Sequence, residues 1–312
     1  MDCVNLFFSC DDNYIPFLGV TLASLRENCD PGRHYDVRVL HTGLREEYMR
    51  RISERFDGPD FKVEFLDISS TVEDFSRQLH TRDYYSKTTY YRLFIPELFP
   101  ELDKALYLDS DLVFCGDVTE FYDTPLGDNL VGAVPDGFVN STAELRLYAS
   151  NRLGVDCSRY FNAGVLLMNL KAMREFRFQQ VFLQLLGAVT FQVAQDQDYL
   201  NVICRDRVTY LSYDWNAMPA GVPVESPKLI HFNLDSKPWH TDGVTYEDRF
   251  WRYAELSGFR QEIQAGKASY SEEDRQRSAE QTVNLIALSH RQALDHRENA
   301  RIRGEIARVV GQ

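Results

Sequence analysis

Two aspartates separated by a single residue are the side chains in this sequence best suited to chemistry. Asp109 and Asp111 directly follow Lys104–Leu108, a short apolar segment that predicts a β-strand. Ligands gather at the carboxyl ends of strands in α/β sheets, and paired carboxylates there can hold one hard cation such as Mg²⁺ or Mn²⁺. Aspartate and serine are also good turn formers, so the triplet alone leaves a plain strand-ending turn open.

A second group of polar side chains lies far downstream. His231 comes at the end of a short apolar segment that predicts another strand, and Lys237 follows six residues later. Taken singly, a histidine is more often structural than a ligand, and a lysine is usually a surface charge. Together with the aspartate pair, however, the imidazole and the ammonium could surround a metal-bound diphosphate, where the metal would act as a Lewis acid on the leaving group.

The elements that must position these groups predict an α/β fold. Strands and helices alternate in the first part of the chain, which argues for a parallel sheet. The predicted strands are Val4–Cys10, Val37–His41, Phe61–Ile68, Lys104–Leu108, Leu130–Val134, Ala163–Leu170, Val208–Ser212 and Lys228–Phe232. The predicted helices are Tyr14–Cys29, Leu44–Phe56, Thr88–Leu98, Phe176–Leu186 and Asp198–Cys204.

Composition narrows the range of partners and compartments. The net charge of −13 over 312 residues disfavours polyanions, so we expect no nucleic-acid partner. The six cysteines form no CxxC pair, which is typical of free thiols in a reducing cytoplasm. The first apolar run is short and predicts a strand rather than a signal peptide, and no run approaches the roughly 18 apolar residues that a membrane span needs. A cytoplasmic location is therefore expected.

The composition changes near residue 261, which predicts a main domain over residues 1–260 and a helical extension over 261–312. From Ser271 onward the apolar residues have a weak helical periodicity, and seven arginines balance seven acidic residues. Such a tail could pair with a partner helix, mediate self-association or make weak peripheral contact with the inner face of the plasma membrane. A solvated helix packed loosely on the domain is the favoured interpretation.

Six segments occur in the order found in glycosyltransferase family 8, which includes bacterial lipopolysaccharide galactosyl- and glucosyltransferases and glycogenin. The resemblance covers roughly residues 2–255. The segments are Asp11-Asp12-Asn13-Tyr14, Thr88-Thr89-Tyr90-Tyr91-Arg92-Leu93, Tyr107-Leu108-Asp109-Ser110-Asp111, Phe161-Asn162-Ala163-Gly164-Val165-Leu166-Leu167, Asp196-Gln197-Asp198-Tyr199-Leu200-Asn201 and His231 through Trp239. Each is weak alone, but six in order resemble the family strongly.

The resemblance implies a GT-A fold, which is a Rossmann-like, mostly parallel sheet flanked by helices. It implies Mn²⁺, with Mg²⁺ also compatible, held by Asp109, Asp111 and His231. The implied reaction moves a hexose from UDP-galactose or UDP-glucose to a glycan acceptor with retention of anomeric configuration. A bacterial surface polysaccharide or lipopolysaccharide-type oligosaccharide is the acceptor that the family suggests.

The resemblance also implies a substrate site. The implied contacts are Asp11, Asn13 and Tyr14 at the uridine, Arg92 and Ser110 nearby, Asp136, Asn162, Ala163, Asp196 and Gln197 around the transferred sugar, and Leu234 and Lys237 at the diphosphate. Three of these, Asp196, Gln197 and Lys237, are the implied catalytic residues. Plainer roles stay open, since Asp136 could be a turn residue, Asp196 could cap a helix and Arg92 could be a simple ion-paired arginine.

Two departures from the family pattern concern the far end of the site. The family commonly has glycine at the position of Leu234, which matters if the backbone there needs positive φ. In addition, Asp214-Trp215-Asn216-Ala217-Met218-Pro219 resembles an acceptor-side motif, and only 12 residues (219–230) lie between Met218 and His231. That short connection predicts an open acceptor side.

Two other functions compete with sugar transfer. A nucleotidyltransferase acting on sugar phosphates would be expected to carry a glycine-rich, basic loop after the first strand, where this chain has Asp11-Asp12-Asn13-Tyr14. A non-catalytic nucleotide-sugar-binding protein would not need two aspartates, a histidine and a lysine together.

Overall fold

The computed structural model describes residues 3–73, 79 and 87–311, so residues 1–2, 74–78, 80–86 and 312 of the predicted domains lie outside it. The strands are β1 Cys3–Ser9, β2 His34–His41, β3 Phe61–Asp67, β4 Lys104–Leu108, β5 Leu112–Phe114, β6 Val131–Pro135, β7 Phe161–Asn169, β8 Val208–Tyr210 and β9 Leu229–His231. The helices are α1 Ile15–Asn28, α2 Glu46–Phe56, α3 Ser69–Glu73, α4 Ile95–Leu98, α5 Val118–Tyr122, α6 Gly137–Ser141, α7 Ala143–Tyr148, α8 Leu170–Glu175, α9 Phe178–Ala188, α10 Gln195–Cys204, α11 Glu247–Ser257, α12 Arg260–Ser269, α13 Glu272–Leu294 and α14 His296–Val310. Short 3₁₀ or π turns cover Lys87–Phe94, Ala149–Leu153, Cys157–Arg159 and Tyr213–Asn216.

Seven strands form one central sheet in the order β3-β2-β1-β4-β7-β6-β8. The pairs β1–β2, β2–β3, β1–β4 and β6–β8 are parallel, whereas β7 runs antiparallel to both of its neighbours. The predicted α/β class with a mostly parallel sheet flanked by helices is confirmed.

The reversed direction of β7 brings its first residues to the functional edge of the sheet. The ends of β1, β4 and β6 lie at one edge because these strands share a direction, and the start of the antiparallel β7 joins them there. In register, Leu108 at the end of β4 pairs with Val165, and Pro135 at the end of β6 pairs with Phe161. All of β7 except Asn169 is buried, as its continuous apolar run predicts. Such a run does not indicate whether the strand is parallel or antiparallel to its neighbours.

A separate two-stranded ribbon pairs β5 with β9. The predicted strand around residues 228–232 therefore exists, but within the described residues it joins β5 and not the main sheet. The strand β5 was not predicted because its three residues follow the Asp109-Ser110-Asp111 turn too closely to form a separate hydrophobic pattern.

The predicted helix Thr88–Leu98 is two elements. A 3₁₀ segment covers Lys87–Phe94, and α4 begins only at Ile95. Pro96 lies in the first turn of α4, where its missing N–H costs no hydrogen bond, whereas a continuous α-helix would need that donor.

The C-terminal tail is packed into the protein. Its helices α13 and α14 contribute the buried residues Leu285, Ala293, Ile302 and Ile306 to the same apolar cluster that contains Tyr148. A buried hydrogen bond of 3.0 Å from Arg152 to Asn299 Oδ1 adds a polar tie. The favoured interpretation of a loosely packed, solvated helix is therefore wrong, while the boundary at 260/261 stays a prediction. None of the helices that the structure describes combines the length and apolar character needed to cross a membrane.

Candidate active site

The β5–β9 ribbon explains how residues far apart in sequence meet. Asp109 and Asp111 form the turn between β4 and β5, and Leu112 pairs in register with His231 at the end of β9. The backbone N–H of Phe232 donates to the carbonyl of Asp111 over 3.1 Å. These two contacts hold the imidazole directly above the aspartate pair.

The three predicted metal ligands form one cluster. The Nε2 atom of His231 lies 3.3 Å from Asp111 Oδ1 and 3.7 Å from Asp109 Oδ2, and one ligand atom from each residue lies within 4.8 Å of the others. Two carboxylates and one imidazole form an oxygen-rich donor set that suits Mn²⁺. The residues present therefore fit the implied ion.

Gly164 leaves the space in which this cluster forms. A Cβ atom built at Gly164 would lie 2.5 Å from His231 Cε1 and closer still to Asp109 Oδ2, which no real Cβ tolerates. The carbonyl of Gly164 also accepts the N–H of Asp109 over 2.8 Å. The sequence placed Gly164 inside a family segment, but gave it no role because a glycine in a strand offers no side-chain chemistry.

Asn216 orients the imidazole from behind. Its Oδ1 lies 3.1 Å from His231 Nδ1, and its Nδ2 donates to Asn162 Oδ1 over 3.0 Å. The Nδ1–Asn216 contact leaves Nε2 facing the aspartates, as metal-ligating histidines are usually held. The segment around Asn216 resembles an acceptor-side motif, yet this side chain is buried beside the candidate metal ligands.

Lys237 is buried against the same cluster. Its Nζ lies 2.7 Å from Asp111 Oδ2 and 2.9 Å from the Phe232 carbonyl. Burial opposes the charge of Lys237, but the carboxylate of Asp111 and the side chain of Tyr14 together outweigh it, so the pKa of Lys237 is raised. Burial likewise opposes the charge of Asp111, but the ammonium of Lys237 and the imidazole of His231 together outweigh it, so the pKa of Asp111 is lowered. Both groups are therefore charged at neutral pH.

The predicted uridine residues surround the start of α1, and the structure separates them. Asp11 and Tyr14 line the pocket, whereas Asn13 is exposed and lies outside the described lining. The ring of Tyr14 has its centroid 5.5 Å from Lys237 Nζ. The Oδ1 atom of Asp11 accepts hydrogen bonds from the backbone N–H groups of Asn13 and Tyr14. Asp11 therefore stabilises the turn before α1 and also lines the pocket. The contact of Asn13 with uridine remains a prediction.

A hydrogen-bonded amide network forms the wall where the resemblance expects the transferred sugar. The Oδ2 atom of Asp136 accepts from Asn162 Nδ2 and from Gln197 Nε2, each over 3.1 Å. The Oε1 atom of Gln197 accepts the N–H of Ala163 over 2.9 Å. The other oxygen of Asp136 caps α6, so the turn interpretation and the wall position are both present.

Arg92 is buried between two carboxylates. Its Nη2 donates to Asp109 Oδ1 over 3.0 Å, its Nε lies 3.2 Å from Asp196 Oδ2, and its Nη1 donates to the carbonyl of Ala163. Burial raises the pKa of Asp196 to about 7 although the positive charge of Arg92 opposes the shift. Arg92 is therefore ion-paired, as the plainer interpretation predicts. Its contact with Asp109 also holds one of the three candidate metal ligands in place.

Leu234 and Ser110 complete the predicted lining. The hydroxyl of Ser110 donates to the Ser9 carbonyl over 3.0 Å, which ties the aspartate turn to β1. Leu234 has φ of +53°, a left-handed conformation that a branched side chain rarely adopts. Leu234 therefore has the positive φ that glycine adopts most easily.

The pocket also contains residues that the sequence did not assign. Thr88, Thr89, Gln195 and Leu285 line it together with the residues described above. Gln195 has φ of +41° directly before Asp196, and strained backbone of this kind is common at functional sites. Leu285 belongs to α13, and no sequence pattern indicated that a residue of the C-terminal tail would line this pocket.

Fold and pocket together define the class of protein: a GT-A glycosyltransferase. The sequence model of glycosyl transferase family 8 matches residues 5–243, and the chain belongs to this family. General stress protein A of Bacillus subtilis (strain 168) is 26% identical over 269 residues, which cover 78% of this chain and 91% of the relative. The lipopolysaccharide 1,2-glucosyltransferase of Escherichia coli (strain K12) is 24% identical over 272 residues, covering 81% and 78%.

Solved structures agree with the family. The galactosyltransferase LgtC in complex with donor and acceptor sugar analogues superposes with a TM-score of 0.67 at 29% identity, over 82% of this chain and 95% of LgtC. The bifunctional glycosyltransferase WbbM superposes with a TM-score of 0.72 at 29% identity, over 86% of this chain and 52% of that longer chain.

Proposed function

We propose that this glycosyltransferase moves galactose or glucose from a UDP-sugar to a saccharide acceptor with retention, at a Mn²⁺ ion held by Asp109, Asp111 and His231. The observation that carries the proposal is the convergence of these three ligands with the buried ammonium of Lys237. The pocket lining holds more carboxylates than cationic side chains. A diphosphate would be repelled by that surplus unless a divalent cation also bound.

The chain's own residues divide the work of the proposed reaction. Lys237 places a fixed positive charge where negative charge develops on the leaving diphosphate. The ring of Tyr14 offers an apolar face for the uracil, and the Asp136–Asn162–Gln197 network offers polar atoms for sugar hydroxyls. When bound, the metal supplies Lewis-acid stabilisation of the diphosphate.

Retention is proposed to proceed by front-face attack, in which the acceptor hydroxyl enters beside the departing diphosphate, which takes up its proton. A covalent route would need a nucleophile. Gln197 presents an amide whose two ends are already hydrogen-bonded to Asp136 and Ala163. Asp196 is a carboxylate held by Arg92, and a glycosyl adduct trapped on it would refute front-face attack.

Release of UDP from a panel of UDP-sugars tests the proposal. Wild-type protein is expected to release UDP from UDP-galactose or UDP-glucose with Mn²⁺ and an acceptor present. The Asp111→Asn variant is expected to lose about 1000-fold in rate, the effect of several kcal/mol of transition-state stabilisation. The exposed Asp128→Asn is the matched control and is expected to keep wild-type turnover.

The same assay separates the competing functions. Pyrophosphate-dependent formation of UTP would favour a nucleotidyltransferase, and binding of UDP-sugar without turnover would favour a non-catalytic binding protein. Unchanged turnover in Asp111→Asn would count against the metal site. The anomeric proton of the product, followed by NMR, reports retention or inversion directly.

A further inference from the structure

The helix α13 supplies part of the pocket that holds the candidate metal ligands. Leu285 lines this pocket together with Asp109, Asp111 and His231, although it lies in the tail, well beyond residue 243 where the family match ends. The open acceptor side predicted from the short connection over 219–230 stays a prediction, while α13 forms part of the wall of the same pocket.

Several contacts hold α13 and the preceding α12 against the loop that carries Leu234 and Lys237. The ring of Tyr270 stacks on His240 with centroids 3.9 Å apart and an interplanar angle of 1°. Lys267 Nζ donates to the Pro238 carbonyl over 2.7 Å. One turn before Leu285, the hydroxyl of Thr282 lies 3.4 Å from Asp235 Oδ2. The tail and the proposed diphosphate loop are therefore positioned together.

An apolar part of the pocket lining includes Leu285. Six lining residues belong to or pack against one hydrophobic cluster and are called the apolar wall: Phe138, Val139, Leu145, Val193, Leu234 and Leu285. Within this wall, Leu145 lies on α7, which packs against α13. The side chains of the apolar wall carry no hydrogen-bonding group. The polar groups proposed to bind the donor come from other parts of the lining, the metal cluster and the Asp136–Asn162–Gln197 network.

We infer that this wall selects an acceptor saccharide with an apolar substituent near its reactive hydroxyl, and that Leu285 is a specificity-determining residue. The inference rests on the proposed sugar transfer. A hydroxyl facing this wall would lose its hydrogen bonds to water without replacement, whereas a methyl group would be buried favourably. The substituent could be the methyl of a 6-deoxyhexose, the methyl of an N-acetyl group or an apolar aglycone, all of which share this chemistry.

Matched acceptor pairs test the inference with the full-length wild-type protein, Mn²⁺ and the active UDP-sugar. The pairs are methyl fucoside against methyl galactoside, N-acetylglucosamine against glucose, and octyl against methyl galactoside. In at least one pair, the apolar member is expected to have a kcat/KM about 10-fold higher, the usual effect of one added methyl or methylene group in an apolar pocket. Equal kcat/KM within all three pairs would overturn the inference.

Variants assign the preference to α13. Leu285→Asn is expected to reduce the preference to less than about 3-fold, measured as the ratio of kcat/KM within one acceptor pair, so that a general loss of activity in the variant cancels. Leu288→Asn, one turn along the same helix and half-buried against the same cluster but outside the described lining, is the matched control and keeps the preference. A preference that survives Leu285→Asn would remove Leu285 from the specificity site. Loss of donor hydrolysis in the wild type would instead contradict the proposed function itself.

Discussion

The absence of a side chain at Gly164 makes room for the cluster of Asp109, Asp111 and His231. A methyl group at this position would meet both Asp109 Oδ2 and His231 Cε1. We expect Gly164→Ala to push these side chains apart and to lower the rate of UDP release by about 100-fold, since misplacing reacting groups by about 1 Å has that effect. Mn²⁺ affinity measured by electron paramagnetic resonance should fall as well.

Gly187 provides the matched control for Gly164. It lies in α9, and a Cβ built there meets nothing within 4 Å. Gly187→Ala should leave Mn²⁺ binding and UDP release unchanged. If Gly164→Ala also left Mn²⁺ binding and UDP release unchanged, the close approach of β7 to the cluster would not be needed for function.

Leu234 offers a test of backbone strain in the loop that also carries Lys237. Left-handed φ costs a residue with a Cβ about 1–2 kcal/mol, and glycine escapes that cost. Because Leu234→Gly and Leu234→Ala both remove the same packing, their difference isolates the backbone. We expect the glycine variant to be more stable by about 1 kcal/mol in urea unfolding, and an alanine variant of equal or greater stability would contradict the positive φ of Leu234.

At the residue scale, the sequence predicted that Asp109, Asp111 and His231 would lie together, because their chemistry is visible in their residue types. Their role as metal ligands stays a prediction. The sequence did not predict Gly164 or Asn216. A glycine that matters by its lack of a side chain, and an asparagine that acts through a histidine, become visible only when distances are known.

At the scale of elements, the start of α10 is held by a buried carboxyl group. Asp198 accepts from Tyr148 and Tyr160 hydroxyls over 2.8 and 2.7 Å and from the N–H of Ala194 over 3.1 Å. Burial raises the pKa of Asp198 from its ordinary 3.8 to about 6, although the tyrosine hydroxyls oppose the shift. The carboxyl group thus fixes the strained turn that leads into Asp196 and Gln197.

This raised pKa predicts a pH dependence of stability. The folded state holds the proton more tightly than the unfolded chain, so the contribution of Asp198 is complete below about pH 4 and is lost as the pH rises through about 6. A shift of about two units corresponds to about 3 kcal/mol. Between pH 4 and 7, the free energy of unfolding of the wild type should therefore fall by about 3 kcal/mol more than that of Asp198→Asn.

Denaturant unfolding at several pH values measures this difference, and Asp128→Asn, an exposed aspartate, should keep the wild-type slope. Parallel pH profiles for the wild type and Asp198→Asn would show that the carboxyl group is ionised at little cost in the folded protein.

The sequence predicted α2 and the first strands, because their apolar periodicity is clear, and it predicted α1 although that helix is buried on nearly all sides. It did not give the direction of β7 or the existence of β5. A strand that is buried on both faces has a continuous apolar sequence, which does not indicate whether the strand runs parallel or antiparallel to its neighbours. A three-residue strand after a polar turn is too short to show alternation of apolar and polar residues. Both features nevertheless build the site, since they bring Gly164 and His231 to the aspartates.

At the scale of the whole molecule, the tail is expected to unfold with the rest of the protein. Ile306 in α14 is 1% exposed within the larger apolar cluster. Ile306→Ala should destabilise the protein by about 2–5 kcal/mol, the usual cost of emptying such a position. Thermal unfolding followed by both circular dichroism and tryptophan fluorescence should show one shifted transition.

Val283 in α13 is the control for this change, because it is 64% exposed. Val283→Ala should alter the free energy of unfolding by no more than about 0.5 kcal/mol. A separate low-temperature transition that alone responds to Ile306→Ala would show that residues 261–312 fold independently. The weak helical periodicity of the tail could not predict its packing, because many of its buried positions are small or polar, such as Ala293, Ser289 and Asn299.

A Mn²⁺ titration monitored by electron paramagnetic resonance, with and without UDP, tests the central claim most directly. We expect one ion per chain, tighter binding when UDP is present, and loss of that site in both Asp111→Asn and His231→Ala. Binding that UDP does not strengthen, or that survives in both variants, would contradict a metal–diphosphate site formed by Asp109, Asp111, His231 and Lys237.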